Sequence, residues 1–282
     1  MSRILIFGPG YLGNAFNNVW DDAVLTLERA DDPAGIERAL DEHSPEFVLS
    51  AVGKTGRPNV DWCESNQLET IRGNVLAPLM LAEACQKRGI HMTHLASGCI
   101  FYGESPDPAG WREDDFANPS AMYSRSKYSA DLVLATLRNV AIVRLRMPID
   151  GKPGPRNLIT KLAHYPKIVD VENSVTVVPD LINAVRQLME KRGQGVFHAV
   201  NDGTMRHRDL MALYKELVDP EHRNEWISTD ELVSQGLAVK GRSNCILQNN
   251  RLKELGIEMR PIHVALRECM ERYAEAVKVS KM

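Results

Sequence analysis

Short apolar runs alternate with amphipathic segments along the first half of the chain. We predict buried strands at residues 4–7, 24–27, 47–51, 91–96 and 141–145. Such short, nearly uncharged runs are typical of parallel strands that are covered on both faces. Between them, apolar residues recur at helical spacing, most clearly in a long helix predicted at residues 68–87 and ending at Gly89. Alternating strands and helices with short connections predict a parallel sheet.

A glycine-rich turn follows the first strand. Gly8, Gly10 and Gly13 form the pattern Gly-x-Gly-x-x-Gly between that strand and a helical pattern. In this context the pattern indicates a dinucleotide site, where the helix N-terminus stabilises the phosphates. The second strand is followed by Glu28, an acid suited to ribose hydroxyls, and by Arg29, a base suited to a 2′-phosphate. The preference between NAD and NADP therefore stays open at this stage.

A serine and a Tyr-x-x-x-Lys pair follow the fourth strand. Ser97 lies at the strand end, and Tyr123 and Lys127 open a helical segment, where a spacing of four puts both side chains on one face. We expect the ammonium group to lower the pKa of the phenol, while the serine hydroxyl holds a carbonyl oxygen. These groups suit the reduction of a ketone, although the pair alone also fits a surface tyrosine packed beside a surface lysine. The Pro- and Gly-rich loop at residues 103–119 could form a lid.

The second half of the chain is less regular. A turn-rich stretch at residues 150–156 marks a boundary. Beyond it we predict helices near 157–164, 181–191, 207–217, 229–235 and 262–278, and strands near 167–171 and 195–199. The predicted fold is α/β, with a doubly wound, Rossmann-type parallel sheet in residues 1–149 and a smaller C-terminal α/β substrate lobe in residues 150–282, partly interleaved with the first.

Composition bears on partners and compartment. The chain has 282 residues, 44% of them hydrophobic and 25% charged, as in ordinary soluble globular proteins. A formal net charge of −3 favours neither a nucleic-acid partner nor an anionic membrane surface, and no uncharged run approaches the length of a membrane span. The N-terminus does not resemble a signal peptide. Scattered cysteines without a Cys-x-x-Cys pair predict reduced thiols in the cytoplasm, and the dispersed histidines predict no metal site.

Longer strings of residues are more specific than the glycine turn. They are Gly-Arg-Pro-Asn-Val-Asp-Trp-Cys-Glu-Ser at 56–65, Ala-Ser-Gly-Cys-Ile-Phe at 96–101, Arg-Met-Pro-Ile at 146–149, Pro-Arg-Asn-Leu-Ile-Thr-Lys at 155–161 and Arg-Ser-Asn at 242–244. With these strings, the chain resembles the extended short-chain dehydrogenase/reductases over nearly its whole length. Within that superfamily it is similar to nucleotide-sugar reductases typified by dTDP-4-dehydrorhamnose reductase. It most resembles the bifunctional UDP-4-keto-6-deoxyglucose 3,5-epimerase/4-reductases that make UDP-rhamnose.

The resemblance implies two sets of catalytic residues. Ser97, Tyr123 and Lys127 would form the reductase triad. A cysteine at position 99 would by default be a small buried apolar side chain. The related GDP-fucose synthases, however, use a cysteine in this place as an acid/base, so we assign Cys99 to epimerisation. Lys161 is its expected cationic partner, and otherwise it would lie on a solvated helix face.

The predicted ligand contacts extend beyond these groups. Predicted cofactor-binding residues are Gly8, Gly10, Tyr11, Leu12, Gly13, Arg29, Asp31, Ala51, Val52, Gly53, Tyr123, Lys127 and Pro148. Predicted substrate-binding residues are Asn59, Asn74, Ser97, Asn157, Arg242 and Asn244. The late Arg-x-Asn element is suited to a diphosphate and to sugar hydroxyls.

The expected activity is a 3,5-epimerisation and 4-keto reduction of a nucleotide-diphosphate sugar, giving UDP-L-rhamnose from UDP-4-keto-6-deoxyglucose. NADPH is the expected cofactor, with NADH as an alternative. Two other functions stay open: a 4-reductase without epimerase activity, in which Cys99 is only structural, and a non-catalytic NADP(H)-binding regulatory subunit. The nucleoside stays open as well, because Gln248 stands where relatives commonly carry an Asp. A homodimer is compatible with the sequence, which does not decide the oligomeric state.

Overall fold

The computed structural model describes residues 3–57 and 59–280. Pro58, part of the string at 56–65, lies outside the described residues. The strands are β1 (Ile4–Phe7), β2 (Ala23–Thr26), β3 (Phe47–Ser50), β4 (His91–Ser97), β5 (Val140–Leu145), β6 (Pro148–Ile149), β7 (Lys167–Val169), β8 (Glu172–Asn173), β9 (Thr176–Val177), β10 (Gly195–Ala199), β11 (Met205–Arg206) and β12 (Glu225–Ile227). The helices are α1 (Tyr11–Asn17), α2 (Pro33–His43), α3 (Trp62–Ser65), α4 (Gln67–Ile71), α5 (Ala77–Arg88), α6 (Met122–Leu134), α7 (Leu158–His164), α8 (Val178–Glu190), α9 (His207–Leu217), α10 (Thr229–Ser234), α11 (Asn250–Glu254) and α12 (Ile262–Ser280), with a π-helical turn at Arg72–Leu76.

The centre of the fold is a six-stranded sheet with the order β10-β5-β4-β3-β1-β2. Every ladder in this sheet is parallel. Its strands are apolar along most of their length because helices cover both faces. One apolar cluster joins the sheet to α1 and α8, and a second joins it to α2, α5 and α6. The α/β class and the parallel sheet predicted from the sequence are confirmed.

The strand order reverses between β1 and β3, since the chain passes from β1 outward to β2 and then returns to the other side of β1. The loops that leave β1 and β3 therefore face each other at the carboxyl edge of the sheet. In doubly wound sheets, ligands bind at this kind of switch point.

The remaining elements form a smaller lobe. Its core contains apolar residues of α7, α9 and α12, with short two-stranded sheets between them. The chain nevertheless returns to the large sheet after residue 150, because β10 pairs with β5 and α8 packs on the sheet. The division into residues 1–149 and 150–282 stays a prediction, and the interleaving concerns β10 and α8.

The long helix expected at residues 68–87 is not continuous. It is divided into α4, the π-helical turn and α5, because the turn brings Gly73 against the loop after β3, where an added Cβ would lie 3.0 Å from the Cβ of Lys54. Its predicted end is correct: Gly89 has φ of +66° and caps α5 in the left-handed conformation that glycine favours.

The loop at residues 103–119 is anchored at its middle. Trp111 is buried and stacks on Phe101 with a centroid distance of 4.7 Å. The backbone N–H of Trp111 donates to the carbonyl of Ile246 at 2.8 Å, and the backbone N–H of Gln248 donates to the carbonyl of Trp111 at 2.9 Å. These contacts argue against the predicted lid, because opening at this point would break a stacked aromatic pair and two hydrogen bonds.

Candidate active site

A tight turn after β4 carries two of the predicted catalytic groups. The Gly98 N–H donates to the carbonyl of Leu145 at the end of β5 (2.8 Å), and the Cys99 N–H donates to Ser97 Oγ (3.1 Å). The Ser124 hydroxyl donates to the Cys99 carbonyl at 2.6 Å, which fastens the turn to the first part of α6. Ser97 and Cys99 are therefore held in fixed positions relative to the helix that begins with Met122 and Tyr123.

Tyr123 lies beside Ser97 at the start of α6. Burial raises the pKa of its phenol, and hydrogen bonding to Ser97 acts in the opposite direction. The expectation that Lys127 lowers the pKa of Tyr123 is wrong for this structure, because the cost of burying a phenolate dominates and the ammonium group is directed elsewhere. A raised pKa keeps Tyr123 protonated at neutral pH, the form that can donate a proton.

Lys127 is buried and points toward β4. Its Nζ donates to the Leu95 carbonyl at 3.0 Å and lies 3.1 Å from Nε2 of His94, whose Nδ1 is 2.9 Å from Ser50 Oγ. Burial lowers the pKa of Lys127 to about 8 and holds the pKa of His94 well below its usual value. A neutral His94 with its proton on Nδ1 can therefore accept a hydrogen bond from Lys127.

Asn74 supports the site and is not placed to bind substrate. It is fully buried in the π-helical turn, and its amide nitrogen donates to the Lys54 carbonyl and to Ser126 Oγ, both at 3.0 Å. Its Oδ1 accepts from the Lys54 N–H at 2.6 Å. The substrate contact predicted for Asn74 is therefore corrected: its polar atoms join the loop after β3 to α6. π-Helical turns often occur at functional sites.

The predicted epimerase pair consists of Cys99, in the turn after β4, and Lys161, on α7. Cys99 is partly exposed, and Nη1 of the fully buried Arg146 donates to its Sγ at 3.2 Å. Lys161 lies on α7, where burial and the charge of Arg156 lower the pKa of its ammonium group and the charge of Cys99 raises it. Cys99 and Lys161 are thus close enough to interact electrostatically. The direct cationic neighbour of Cys99 is Arg146, a contact that the string Arg-Met-Pro-Ile does not predict by itself.

The glycine turn after β1 has the geometry that a pyrophosphate requires. Gly8 has φ of +103°, and an added Cβ there would lie 2.7 Å from the carbonyl of Ala51. At Gly13 an added Cβ would lie 2.0 Å from the carbonyl oxygen of Gly8, so helix and strand pack too closely for any side chain. At Gly10 it would meet nothing within 4 Å, which leaves open space at the N-terminus of α1. These residues fit a dinucleotide phosphate group.

The other predicted cofactor residues, near β1 and in the loop after β3, differ in their burial and in the groups that they contact. Leu12 and Val52 are partly buried and pack against the two apolar clusters of the sheet. The Tyr11 hydroxyl is buried without a hydrogen-bond partner among the described residues. An added Cβ on Gly53 would lie 3.8 Å from Nζ of Lys127, so the β3 loop passes directly over that ammonium group.

Pro148 begins β6 and pairs in parallel with Thr176. It follows Met147, whose φ of +43° is in the left-handed region, which is unfavourable for residues that carry a β-carbon. The adjoining backbone is therefore held in a strained turn at the end of β5.

Two exposed arginines share one carboxylate beyond the end of β2. Asp31 accepts from Arg29 at 2.9 and 2.8 Å and from Nε of Arg72 at 2.6 Å. The arginine side chains are 76% and 64% exposed, whereas Asp31 is 8% exposed, so most of their remaining donors face outward. Glu28, the acid that could have bound ribose hydroxyls, is instead paired with Arg38 at 2.9 Å.

The predicted substrate residues of the late loop contact protein groups. Arg242 makes a two-pronged ion pair with Asp61, with both N–O distances 2.7 Å. Asn59 Oδ1 accepts from the Asp61 N–H at 2.8 Å, and Asn244 Oδ1 accepts from Asn173 at 3.3 Å. A substrate contact by Arg242, Asn59 or Asn244 stays a prediction.

Asn157 caps α7 from inside the protein. It is fully buried, and its Oδ1 accepts from the Ile159 N–H at 3.1 Å. Its amide nitrogen donates to the carbonyls of Lys152, at 2.8 Å, and of Asp150, at 2.5 Å. The predicted substrate contact is corrected, because this amide stabilises the start of α7 and the preceding turn.

Within residues 3–57 and 59–280, no helix is long and apolar enough to cross a membrane. The same residues contain no group of three or more His, Cys, Asp or Glu side chains arranged to hold a metal ion.

A Rossmann-type sheet with a serine, a tyrosine and a buried lysine at its carboxyl edge is the arrangement of a dinucleotide-dependent reductase. Residues 2–275 match the model of the RmlD substrate binding domain, and the chain belongs to this family.

Several relatives have names that describe rhamnose chemistry. A bifunctional dTDP-4-dehydrorhamnose 3,5-epimerase/dTDP-4-dehydrorhamnose reductase of Arabidopsis thaliana is 33% identical over 262 residues, covering 89% of this chain and 86% of that protein. A trifunctional UDP-glucose 4,6-dehydratase/UDP-4-keto-6-deoxy-D-glucose 3,5-epimerase/UDP-4-keto-L-rhamnose-reductase of the same plant is 31% identical, covering 96% of this chain. The chain spans only 41% of the length of that trifunctional relative. Among solved structures, the L780 UDP-rhamnose synthase of Acanthamoeba polyphaga mimivirus is 30% identical with a TM-score of 0.89, covering 95% of this chain and 98% of that one.

Proposed function

We propose that this protein is a nucleotide-sugar 3,5-epimerase/4-keto-reductase that converts UDP-4-keto-6-deoxyglucose to UDP-L-rhamnose with NADPH. The observation that carries the proposal is the turn after β4. It presents the hydroxyl of Ser97 and the thiol of Cys99 together and is bonded to α6 next to Tyr123. A reducing group and a proton-exchanging group thus act on one bound sugar. The names of two of these relatives support UDP as the nucleoside, the third names dTDP, and all three name rhamnose chemistry.

NADPH fits the residues at the switch point of the sheet. Gly8, Gly10 and Gly13 leave room for the pyrophosphate at the N-terminus of α1. Arg29 and Arg72 offer outward-facing guanidinium donors for the 2′-phosphate, and this pair favours NADPH over NADH. When bound, the cofactor supplies the hydride that reduces C4.

Epimerisation uses Cys99 and Lys161 on opposite faces of the sugar. The thiolate of Cys99 removes a proton from the carbon beside the C4 ketone: the C–H bond breaks, an S–H bond forms, and the electron pair moves onto the C4 oxygen as an enolate. Lys161 then gives a proton to the other face of that carbon while the ketone re-forms. The lowered pKa of Lys161 favours this transfer. Cys99 then loses its proton to solvent and Lys161 takes one up, so the same exchange can invert both C3 and C5, the two positions acidified by the ketone.

Reduction uses the hydroxyl groups of Ser97 and Tyr123. Ser97 orients the C4 oxygen by a hydrogen bond, and Tyr123 donates its phenolic proton to that oxygen as the negative charge develops. Lys127, held by Leu95 and His94, keeps a positive charge beneath the loop after β3. Both steps thereby use one ketone, first to acidify its neighbours and then as the group that is reduced.

The enzyme is proposed to be a short-chain dehydrogenase/reductase that works in the cytoplasm. All five cysteines are free thiols, which suits a reducing compartment. A homodimer is proposed as its oligomeric state. Leu132 and Val133 support it, since these apolar side chains are half exposed on α6. Light scattering of the purified protein would measure the mass of the assembly.

The decisive variant is Cys99→Ala, assayed on two substrates. With UDP-4-keto-6-deoxyglucose we expect no UDP-L-rhamnose, because C3 and C5 cannot be inverted. With the pre-epimerised 4-keto-L-rhamnose derivative we expect reduction to continue, because Tyr123 and Ser97 are intact. If Cys99→Ala still forms UDP-L-rhamnose from the first substrate, the epimerase role of Cys99 is wrong. If wild-type protein reduces only the pre-epimerised substrate, the protein is a 4-reductase alone.

A further inference from the structure

Two arginines at the end of β5 are both buried but differ in how their charge is compensated. Nε of Arg144 lies 2.9 Å from a carboxylate oxygen of Asp131, and both side chains are at most 4% exposed. Arg146 is fully buried, yet no carboxylate pairs with it anywhere in the described part of the chain. A buried guanidinium without an anion is unfavourable, because its lost hydration is only partly replaced.

The side chain of Arg146 donates to four acceptors, and one of them is the sulfur of Cys99. Its Nη1 donates to Cys99 Sγ at 3.2 Å and to Ser243 Oγ at 3.1 Å. Its Nη2 donates to the carbonyl of Ser243 and to Oδ1 of Asn173. Of these acceptors, the sulfur of Cys99 belongs to the group assigned to proton exchange, and the others are hydroxyl, carbonyl and amide oxygens.

The backbone holds this contact in place from both sides. The Arg146 N–H donates to Thr176 Oγ1 at 2.9 Å, and the Gly98 N–H donates to the Leu145 carbonyl at 2.8 Å. The next residue, Met147, has φ of +43°, which is strained for a non-glycine residue. The guanidinium and the sulfur therefore meet through fixed elements and not through mobile side chains on a surface.

We propose that Arg146 is a positioning residue that holds the sulfur of Cys99 beside a fixed guanidinium group for proton exchange at the sugar, while Lys161 acts from the opposite face. This inference rests on the proposed epimerase function. Arg146 contacts the sulfur of Cys99 and is fully buried. Its effect should therefore fall on proton exchange and far less on hydride transfer.

The test measures the two half-reactions separately in Arg146→Met and Arg146→Lys. Without NADPH, the enzyme is incubated with UDP-4-keto-6-deoxyglucose in D₂O, and deuterium at C3 and C5 is followed by NMR. We expect kcat for exchange to fall about 100-fold in Arg146→Met with little change in KM, and to recover about tenfold in Arg146→Lys, which keeps the charge. Reduction of the pre-epimerised substrate should fall by no more than about threefold. Equal losses in both half-reactions, or exchange at the wild-type rate, would overturn the proposal.

A substrate-free measurement separates this inference from the proposed function. Cys99 is partly exposed and the other four cysteines are buried, so alkylation by iodoacetamide at pH 7, mapped by mass spectrometry, should label Cys99 first. We expect labelling about tenfold slower in Arg146→Met than in wild type and partial recovery in Arg146→Lys. Equal labelling rates contradict the role of Arg146, even if no UDP-sugar proves to be a substrate. Conversely, slowed labelling with an inactive wild type would refute only the proposed function.

Arg146→Met could fail to fold, since it lies in the core. Wild-type protein then provides the test by comparing iodoacetate, an anion, with neutral iodoacetamide. A guanidinium beside the sulfur should raise the iodoacetate-to-iodoacetamide rate ratio at least about threefold above that of free cysteine. Lys161→Ala is the control that removes the other nearby cation, and the raised ratio should persist in it. A ratio equal to that of free cysteine in Lys161→Ala would overturn the inference.

Discussion

Burial of the Lys127 ammonium group should make stability depend on pH in a way that one substitution removes. Its pKa is lowered from 10.5 to about 8 by burial, with a smaller opposing effect from Asp131. Between those values the unfolded chain binds more protons than the folded one, so the contribution of Lys127 to stability rises with pH across this window. Below pH 8 both states are protonated and the penalty on the charged form is constant. Each pKa unit corresponds to about 1.4 kcal/mol.

The assay is urea unfolding of wild type and Lys127→Met at pH 7.5 and 9.5. Linkage gives a gain of about 2 kcal/mol for wild type relative to the variant between these two pH values. Other titrating groups are common to both proteins and cancel in the comparison. Lys87→Met is the matched control, since Lys87 is an exposed lysine on α5 paired with Glu83, and no such gain is expected for it. If the difference in unfolding free energy between wild type and Lys127→Met is the same at both pH values, folding does not lower the pKa of Lys127.

Two further predictions concern the cofactor site. Gly13→Ala should abolish NADPH binding and lower the melting temperature, because its Cβ would lie 2.0 Å from the carbonyl oxygen of Gly8. Gly10→Ala should fold normally and only weaken NADPH binding, since its Cβ meets open space. Calorimetry with NADPH measures both affinities, and wild-type binding by both variants would contradict this prediction. Arg29→Ala and Arg72→Ala should each raise the KM for NADPH by about tenfold and leave the KM for NADH nearly unchanged. A tenfold change corresponds to about 1.4 kcal/mol, close to the lower end of the range for a hydrogen bond to a charged group, because the phosphate is partly exposed. Equal effects on both cofactors would place the 2′-phosphate elsewhere.

Local sequence patterns were sufficient to predict the glycine-rich turn after β1 and the helix that carries Tyr123 and Lys127. The turn at Gly8, Gly10 and Gly13 follows directly on β1, so backbone geometry over a few residues determines it. The spacing of Tyr123 and Lys127 likewise predicted a shared helix, and α6 contains both. What spacing could not predict is the direction of the Lys127 ammonium group, which depends on His94, a residue 33 positions away in another strand.

The contacts that bring distant segments together were the ones missed or misassigned. Asn74 and Asn157 have the composition of ligand-binding residues, but their amides bond to backbone groups that only the folded chain brings near. Arg146 contacts Cys99 across 47 residues. One signal was available: two arginines, at positions 144 and 146, in a strand end that is otherwise apolar require buried partners. The sequence did not say which acceptors would satisfy them.

The measurement that tests the central claim most directly is a single reaction of wild-type protein with UDP-4-keto-6-deoxyglucose and NADPH, followed by nicotinamide absorbance and by NMR of the sugar. The account predicts oxidation of one NADPH per sugar and UDP-L-rhamnose as the product. Oxidation that yields an unepimerised 6-deoxyhexose would contradict the epimerase assignment of Cys99. Tight NADPH binding without oxidation, on UDP-, dTDP- and GDP-linked ketosugars alike, would contradict the enzyme assignment and favour a regulatory NADPH-binding subunit.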